Sequence, residues 1–209
     1  MPDVILQKWE FSAKSDGSSI VIPDGCRDLI FMAKRGQQPR WMVSDLDNTV
    51  YSVSSRAGDY MKGFRLRPGA VIDVEALLHS VRDIDAQGDI ADRIGSFTIL
   101  SRNMSEALNC LGAVTSPHEA ARNLGVNARN LQRLLKPTGR TPAAWLSLAR
   151  ARRAARLVLE GDLSDAAFTA GYADQAHMNR EFRRWFGATP GQVFTGSSIS
   201  KGVRLSGYF

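Results

Sequence analysis

The chain repeats itself. Residues 117–136 and 163–186 each read as a helix, a glycine turn and a second helix, with Gly125 and Gly171 at the turns. Each unit runs into the same kind of corner, Gly139-Arg140-Thr141-Pro142 in the first and Gly187-Ala188-Thr189-Pro190 in the second. Ser116-Pro117-His118-Glu119 has the form of a capping box with proline at the first helical position. Asn127 is placed to cap a helix over 128–136 that Pro137 ends. Thr141-Pro142 opens a long helix reaching Glu160 and closed by Gly161. Asp162 or Ser164 caps another, to Ala170, and Asp174 caps the last main helix, to Phe186. A short glycine turn between two helices is the helix-turn-helix pattern, whose second helix is the candidate reader of a DNA major groove.

The faces of those second helices fit the same reading. At about 100° per residue, Leu131, Leu134 and Leu135 make one apolar side. Arg129, Arg133 and Lys136 lie opposite, flanked by Asn130 and Gln132. In the later helix Met178, Phe182, Trp185 and Phe186 share a side and are expected in the core. Ala176, Arg180, Arg183 and Arg184 lie opposite, flanked by His177 and Asn179. Arg can hydrogen-bond guanine, and Asn or Gln adenine. One basic amphipathic helix is ordinary; two behind glycine turns carry more weight. Residues 113–209 hold 14 Lys and Arg against 6 Asp and Glu, a net of +8, while residues 1–112 hold 13 against 15, a net of −2. The basic excess belongs to the second half, as a polyanion partner requires. On charge alone, a solvated basic surface serves equally well.

The stretch from Ala170 to Pro190 resembles the second helix-turn-helix signature of AraC/XylS-type regulators, and Leu131-Gln132-Arg133-Leu134 with Gly139-Arg140-Thr141-Pro142 resembles the first. Arg150 and Ala154 stand where that family's connecting helix has them. The resemblance covers residues 113–195. It implies two subdomains joined by the helix over 142–160, reading major-groove segments about one turn (~34 Å) apart. It implies base-reading roles for Arg129, Gln132 and Arg133, and for Gln175, Ala176, His177, Asn179 and Arg180, with Asn130 beside them. Lys136, Arg183 and Arg184 are better placed for phosphates, which position without reading sequence. Two departures stand out. Lys136-Pro137-Thr138-Gly139 is one residue shorter than the family's path, so the first recognition helix should end early. Ala176 offers only an apolar contact where a polar residue is common. Arg150, Arg152, Arg153 and Arg156 are read as solvated or ion-paired instead of DNA contacts, and His118 as a surface residue.

The first half reads differently. β-Branched and aromatic runs at 4–11, 19–22, 28–33, 40–43, 49–53 and 60–66 are separated by turn signals, which fits a small antiparallel sheet or partial barrel. Helical spacing begins after Asp73, an N-cap for 74–81, with further helices over 89–94 and 101–111 and a linker at 112–116. The expected class is α+β: a β-rich domain with trailing helices over 1–112, an all-α double helix-turn-helix domain over 113–195, and a loosely held Ser- and Gly-rich tail over 196–209. Pro23-Asp24-Gly25-Cys26-Arg27-Asp28 and Gly63-Phe64-Arg65-Leu66-Arg67-Pro68-Gly69 resemble motifs of a short N-terminal domain in some AraC-type regulators. In such proteins this half senses a small molecule, dimerises, or both. The candidate effector residues are Cys26, Arg65 and Arg67. Arg65 and Arg67 alternate on a strand, so they should share a face, to bind an anion or to pair with acidic neighbours.

Other classes find less support. Cys26 between Asp24 and Asp28 is a conceivable nucleophile or redox thiol, but no motif places a histidine base beside it, and a buried structural thiol is favoured. The alkyl-transfer domain fused to some AraC-type units needs several metal-binding cysteines, whereas this chain has Cys26 and Cys110. No disulfide framework, metal or cofactor is expected, nor a cupin metal site, since His79 is the first half's one histidine and lies in a helical segment. Residues 1–11 carry Asp3, Lys8 and Glu10 and no apolar run, so no secretory signal, no membrane span and a cytoplasmic location are expected. The expected partner is double-stranded DNA; RNA polymerase, a homodimer partner and a small-molecule effector are further candidates. The competing reading is a ligand-binding or thiol-dependent catalytic first half, with the helices serving only assembly.

Overall fold

The computed structural model describes residues 2–85, 89–161, 165–195, 198–204 and 207–208. Six strands come first: β1 (Ile5–Ser12), β2 (Gly17–Val21), β3 (Asp28–Ala33), β4 (Arg40–Val43), β5 (Tyr51–Ser55) and β6 (Tyr60–Leu66). Four make an antiparallel sheet in the order β1-β6-β3-β4, and β2 and β5 form a separate two-stranded ribbon. Trp9 on β1 pairs with Gly63 on β6. A Cβ at residue 63 would lie 2.1 Å from the Trp9 ring, so glycine is what lets the indole lie across the sheet and donate to Asp28 at 2.7 Å. Two short strands missing from the sequence reading, β7 (Val71–Ile72) and β8 (Thr98–Ile99), pair with each other and bracket α1 (Val74–Val81) and α2 (Ala91–Phe97). Asp73 caps α1 as expected, accepting from the Ala76 amide at 3.1 Å. The sheet packs on α1 and α2 around Leu29, Phe31, Trp41, Phe64, Leu77 and Ile94.

The rest is helical: α3 (Arg102–Ala113), α4 (Pro117–Asn123), α5 (Ala128–Leu135), a 3-10 turn (Lys136–Thr138), α6 (Pro142–Leu159), α7 (Ala166–Thr169), α8 (Gln175–Phe186), α9 (Pro190–Phe194) and α10 (Ser198–Arg204). The molecule is α+β, with its main sheet ahead of the helical half. The proposed caps Asp162 and Ser164 lie outside the described residues.

Two expectations change. The helix begun at Ser101 was grouped with the first half, yet Met104, Ala107, Leu108 and Leu111 of α3 are buried in the core built on α6. Its amphipathic stripe is real, but a stripe does not say which core it faces. The tail was expected to be loose. Instead Ile199, Val203 and Tyr208 are buried, the Tyr208 amide donates to the Asp24 carbonyl at 2.7 Å, and its hydroxyl donates to Leu108 at 2.8 Å. Its ring meets Trp145 edge-on at 4.8 Å. A few apolar residues suffice when they land at a junction already lined by aromatic rings.

Candidate DNA interface

The two helix–turn–helix units have the same turn atom for atom. After α4, the Gly125 amide donates to Arg122 and the Val126 amide to Ala121, at 3.0 and 2.9 Å. After α7, the Gly171 amide donates to Phe168 and the Tyr172 amide to Ala167, at 2.9 and 2.8 Å. Both are Schellman closures, and both glycines sit at positive φ, 67° and 82°. The second helix of each unit is then capped by a side chain. Asn127 accepts from the Asn130 amide at 2.8 Å, and Asp174 from the His177 amide at 2.6 Å. Ser116 caps α4 through the Glu119 amide at 3.1 Å, but the Glu119 carboxylate reaches back to Thr115, one residue beyond the capping box expected there.

The recognition helices differ in length. α5 stops at Leu135 and tightens into the 3-10 turn at Lys136, as the short path to Gly139 suggested, while α8 runs from Gln175 to Phe186. Leu131 and Leu135 are buried under α5, and Met178, Phe182, Trp185 and Phe186 under α8. Arg129, Asn130, Gln132 and Arg133 are exposed on α5, and Lys136 is exposed in the turn that follows it. Gln175, Ala176, Arg180, Arg183 and Arg184 are exposed on α8, with His177 and Asn179 half-buried. Arg133 donates to Asn130 at 3.2 Å. The His177 ring stands edge-on to Tyr172 at 5.2 Å, so packing already holds it. Arg184 lies over Trp185 at 5.1 Å and pairs with Glu181 at 3.5 Å.

A family model described as a helix-turn-helix domain matches residues 120–196. The transcriptional activator NphR of Rhodococcus sp is 41% identical over 69 residues, 32% of this chain and 21% of that protein. The regulator RipA of Corynebacterium glutamicum is 40% identical over 84 residues, 39% and 25% of the two chains. The activator RhaS of Escherichia fergusonii is 35% identical over 83 residues, 38% and 30%. Residues 120–196 are a helix-turn-helix domain. This chain spans between 21% and 30% of the length of those three relatives. A 1.65 Å structure of ToxT from Vibrio cholerae superposes with a TM-score of 0.51 at 9% identity, covering 90% of this chain and 97% of that one. At that identity the likeness is one of fold.

The helix-turn-helix domain is tied to the rest of the chain by arginines that the sequence alone puts on its surface. Arg150 donates to the Thr115 carbonyl at 2.9 Å, and Arg153 to that of Gly112. Arg152 is wholly buried, not solvated, and reaches the Val203 carbonyl at 3.4 Å. Burial brings its pKa down to about 10, so it keeps its charge at neutral pH. The sequence shows one basic run on α6; only packing separates its members.

Of the candidate effector residues, Cys26 and Arg65 meet at the Asp24 carboxylate, which accepts from the Cys26 amide at 2.9 Å, and Arg67 lies apart. Arg65 is sequestered by Asp24 at 3.1 Å and Asp28 at 3.4 Å, with its side chain 12% exposed. Arg67 lies past the end of β6 and turns to Asp3 instead, donating to its carbonyl at 2.6 Å, so the expected shared face is not formed. Cys26 is buried, and burial with Asp24 close by pushes its thiol well above the usual range. Both motifs of the first half abut the helices. A Cβ on Gly25 would meet Tyr208 and Trp145 at 2.6 and 2.9 Å, and one on Gly69 would meet Leu108 and Met104 at 2.6 and 2.7 Å. One cavity along this seam, lined by Gly25, Arg27, Arg67 and Trp145, measures about 80 Å³, and a second, lined by Arg67, Leu108, Asn109 and Tyr208, about 310 Å³. Ligand pockets usually run to roughly 300–1,000 Å³. Among the described residues no His, Cys, Asp or Glu cluster could hold a metal ion, and no helix is long and apolar enough to cross a membrane.

Proposed function

We propose that this chain is a sequence-specific DNA-binding transcription regulator that works by equilibrium binding, with no chemical step, through α5 and α8. The observation that carries the reading is the pair of units with one turn geometry, each presenting a capped helix with an apolar buried side and an exposed Arg-, Asn- and Gln-bearing side. Arg129, Gln132 and Arg133 on α5 and Gln175, Ala176, His177, Asn179 and Arg180 on α8 read base edges, with Asn130 holding Arg133. Lys136, Arg183 and Arg184 meet phosphates. The domains are the β-rich half, the AraC-type domain and the docked C-terminal segment, in a cytoplasmic protein. RNA polymerase, a second copy and a small-molecule effector are the further partners; the seam between the halves is where an effector has leverage.

The test is selection. The purified chain is incubated with fragments of its own genome at physiological salt, and bound DNA is sequenced. The expected result is a shared motif with two half-elements about one turn apart. Arg180→Ala should relax preference at one element, whereas Arg184→Ala should weaken binding to all sequences evenly. No enrichment, with or without a metabolite pool present, overturns the reading.

A further inference from the structure

Arg140 was read only as part of a corner, yet it sits where three parts of the molecule meet. It is 6% exposed. Its guanidinium lies over Trp145, at the start of α6, at 5.1 Å, and over Trp185, on α8, at 5.5 Å. Its polar partners come from the β-rich half. Nε donates to Asn48 Oδ1 at 3.2 Å, and Nη2 donates to the Asp47 carbonyl. Nη1 is buried with no hydrogen-bond partner among the described residues, so this cation is held by shape and by the loop, not by full pairing. Burial brings its pKa down to about 10.

Each recognition helix is fastened to this point. Thr138, in the turn that follows α5, donates to the Leu135 carbonyl at 2.7 Å. Its hydroxyl also accepts from Trp145 Nε1 at 3.0 Å and from the Arg140 amide at 3.2 Å. On the other side, Trp185 donates to Ser147 of α6 at 2.8 Å. Gly187, at the C-terminus of α8, lies directly under the same loop, since a Cβ there would be 2.7 Å from Val50 Cγ1. Leu46 and Val50 pack onto the helical core. The segment between β4 and β5, residues 44–50, therefore touches the end of α8 directly and the turn after α5 through Arg140.

We infer that this segment is a positioning element that sets the separation and angle of α5 and α8, acting through Arg140 and Gly187. The inference rests on the DNA-reading role of those helices. The connecting helix α6 alone is the simpler alternative, and the two differ in what happens when only the loop is changed. Asn48 is exposed and Val50 half-buried, so Asn48→Ala/Val50→Ala removes the side-chain bond to Arg140 and the contact on Gly187 without opening the main core, and leaves the Asp47 carbonyl in place.

Two measurements on the full chain test it. The first uses the selected operator with one base pair added or removed between its half-elements. The native chain should bind one spacing best, and the double variant should lose selectivity for spacing by roughly fivefold, the worth of about one hydrogen bond. Arg140→Lys, which keeps the charge but not the planar fork, should follow the same trend. Equal weakening at every spacing, or none, overturns the inference. The second needs no DNA: spin labels on cysteines placed at Ala128 and Ala176, with Cys110→Ala, report the distance between the helices. A distribution that broadens or shifts in the Asn48→Ala/Val50→Ala chain supports the positioning role, and an unchanged one overturns it. If the native chain selects no DNA, the proposed function fails and the distance measurement still decides this point.

Discussion

The two helix-turn-helix units share their turns but not their surroundings. The second is braced. Trp185 is tied to Ser147, whose hydroxyl also meets Glu181 of α8, Arg140 lies on the Trp185 ring, and Val50 abuts Gly187. The first is held mainly by its buried leucines, by Thr138, and by Arg150 and Arg153 gripping the strand of chain that enters it. Its reading helix is eight residues against twelve. Local sequence can repeat a motif, then, while packing gives its copies unequal stiffness. The braced unit should fix where the protein sits on DNA, and the lighter one should adapt.

The largest expected break in that comparison is Trp185→Ala. Removing a fully buried tryptophan costs about 3–5 kcal/mol on its own. Here it also strips Ser147 of a donor and Arg140 of a stacking face, so denaturant midpoints should fall at the upper end of that range. Leu131→Ala, fully buried but without polar neighbours, should cost about 2–4 kcal/mol. Equal losses for the two would refute the claim of unequal bracing.

A finer contrast lies in the glycines. Gly125 and Gly187 both hold positive φ, 67° and 64°. A Cβ on Gly125 meets nothing within 4 Å, whereas one on Gly187 meets Val50 at 2.7 Å. Gly125→Ala should cost about 1 kcal/mol, the backbone penalty alone. Gly187→Ala should cost about 2–3 kcal/mol, the added clash being an overpacking effect. Val50→Ala should rescue the second and leave the first untouched in a double-mutant cycle; no rescue would mean that the loop does not press on α8.

The loop can also be titrated. Asp47 accepts from Tyr51, and its carboxyl is pushed up to about 6, by burial first and then by Asp24. The folded chain therefore holds this proton more tightly than the unfolded one, where the value is near 3.8. Its contribution to stability is fully present below pH 3.8, falls as pH rises toward 6, and stays lost above. Asp47→Asn should then be the more stable chain at pH 7–8, by on the order of 1 kcal/mol after allowance for its partial exposure. The two chains should converge near pH 4. A constant gap across that range would contradict the assignment.

What the sequence made legible is what depends on a few neighbouring residues. Gly125 and Gly171, the Asp73, Ser116, Asn127 and Asp174 caps and the Thr-Pro corners all act within one turn of chain, so their chemistry is written locally. The early end of α5 followed from a missing residue before Gly139. What stayed hidden depends on partners far along the chain. Arg152 and Arg156 look alike in sequence, yet α6 buries one and exposes the other. Arg140 reads as a corner residue until Asp47 and Asn48 are brought to it. Ile199, Val203 and Tyr208 are too sparse to signal a packed segment, and only the packing of α10 on β2 and α6, with Tyr208 at Gly25, explains them.

The smallest predicted effect separates the two units most sharply, because it should change sign between stability and binding. Both reading helices are capped by a side-chain oxygen, but Asn127 is neutral and Asp174 is charged. A negative charge at a helix N-terminus stabilises it by about 0.3–1 kcal/mol. That same charge sits beside Gln175 and Ala176, at the end of the helix that the proposal points into the polyanionic DNA groove. Asp174→Asn keeps the capping bond and removes the charge, so the fold should weaken by about 0.5 kcal/mol while affinity for the operator rises about twofold. Asn127→Asp should do the reverse in the first unit. Urea midpoints and operator affinities at one fixed salt concentration check both. Movement of stability and affinity in the same direction would show that the helix N-termini do not face the DNA.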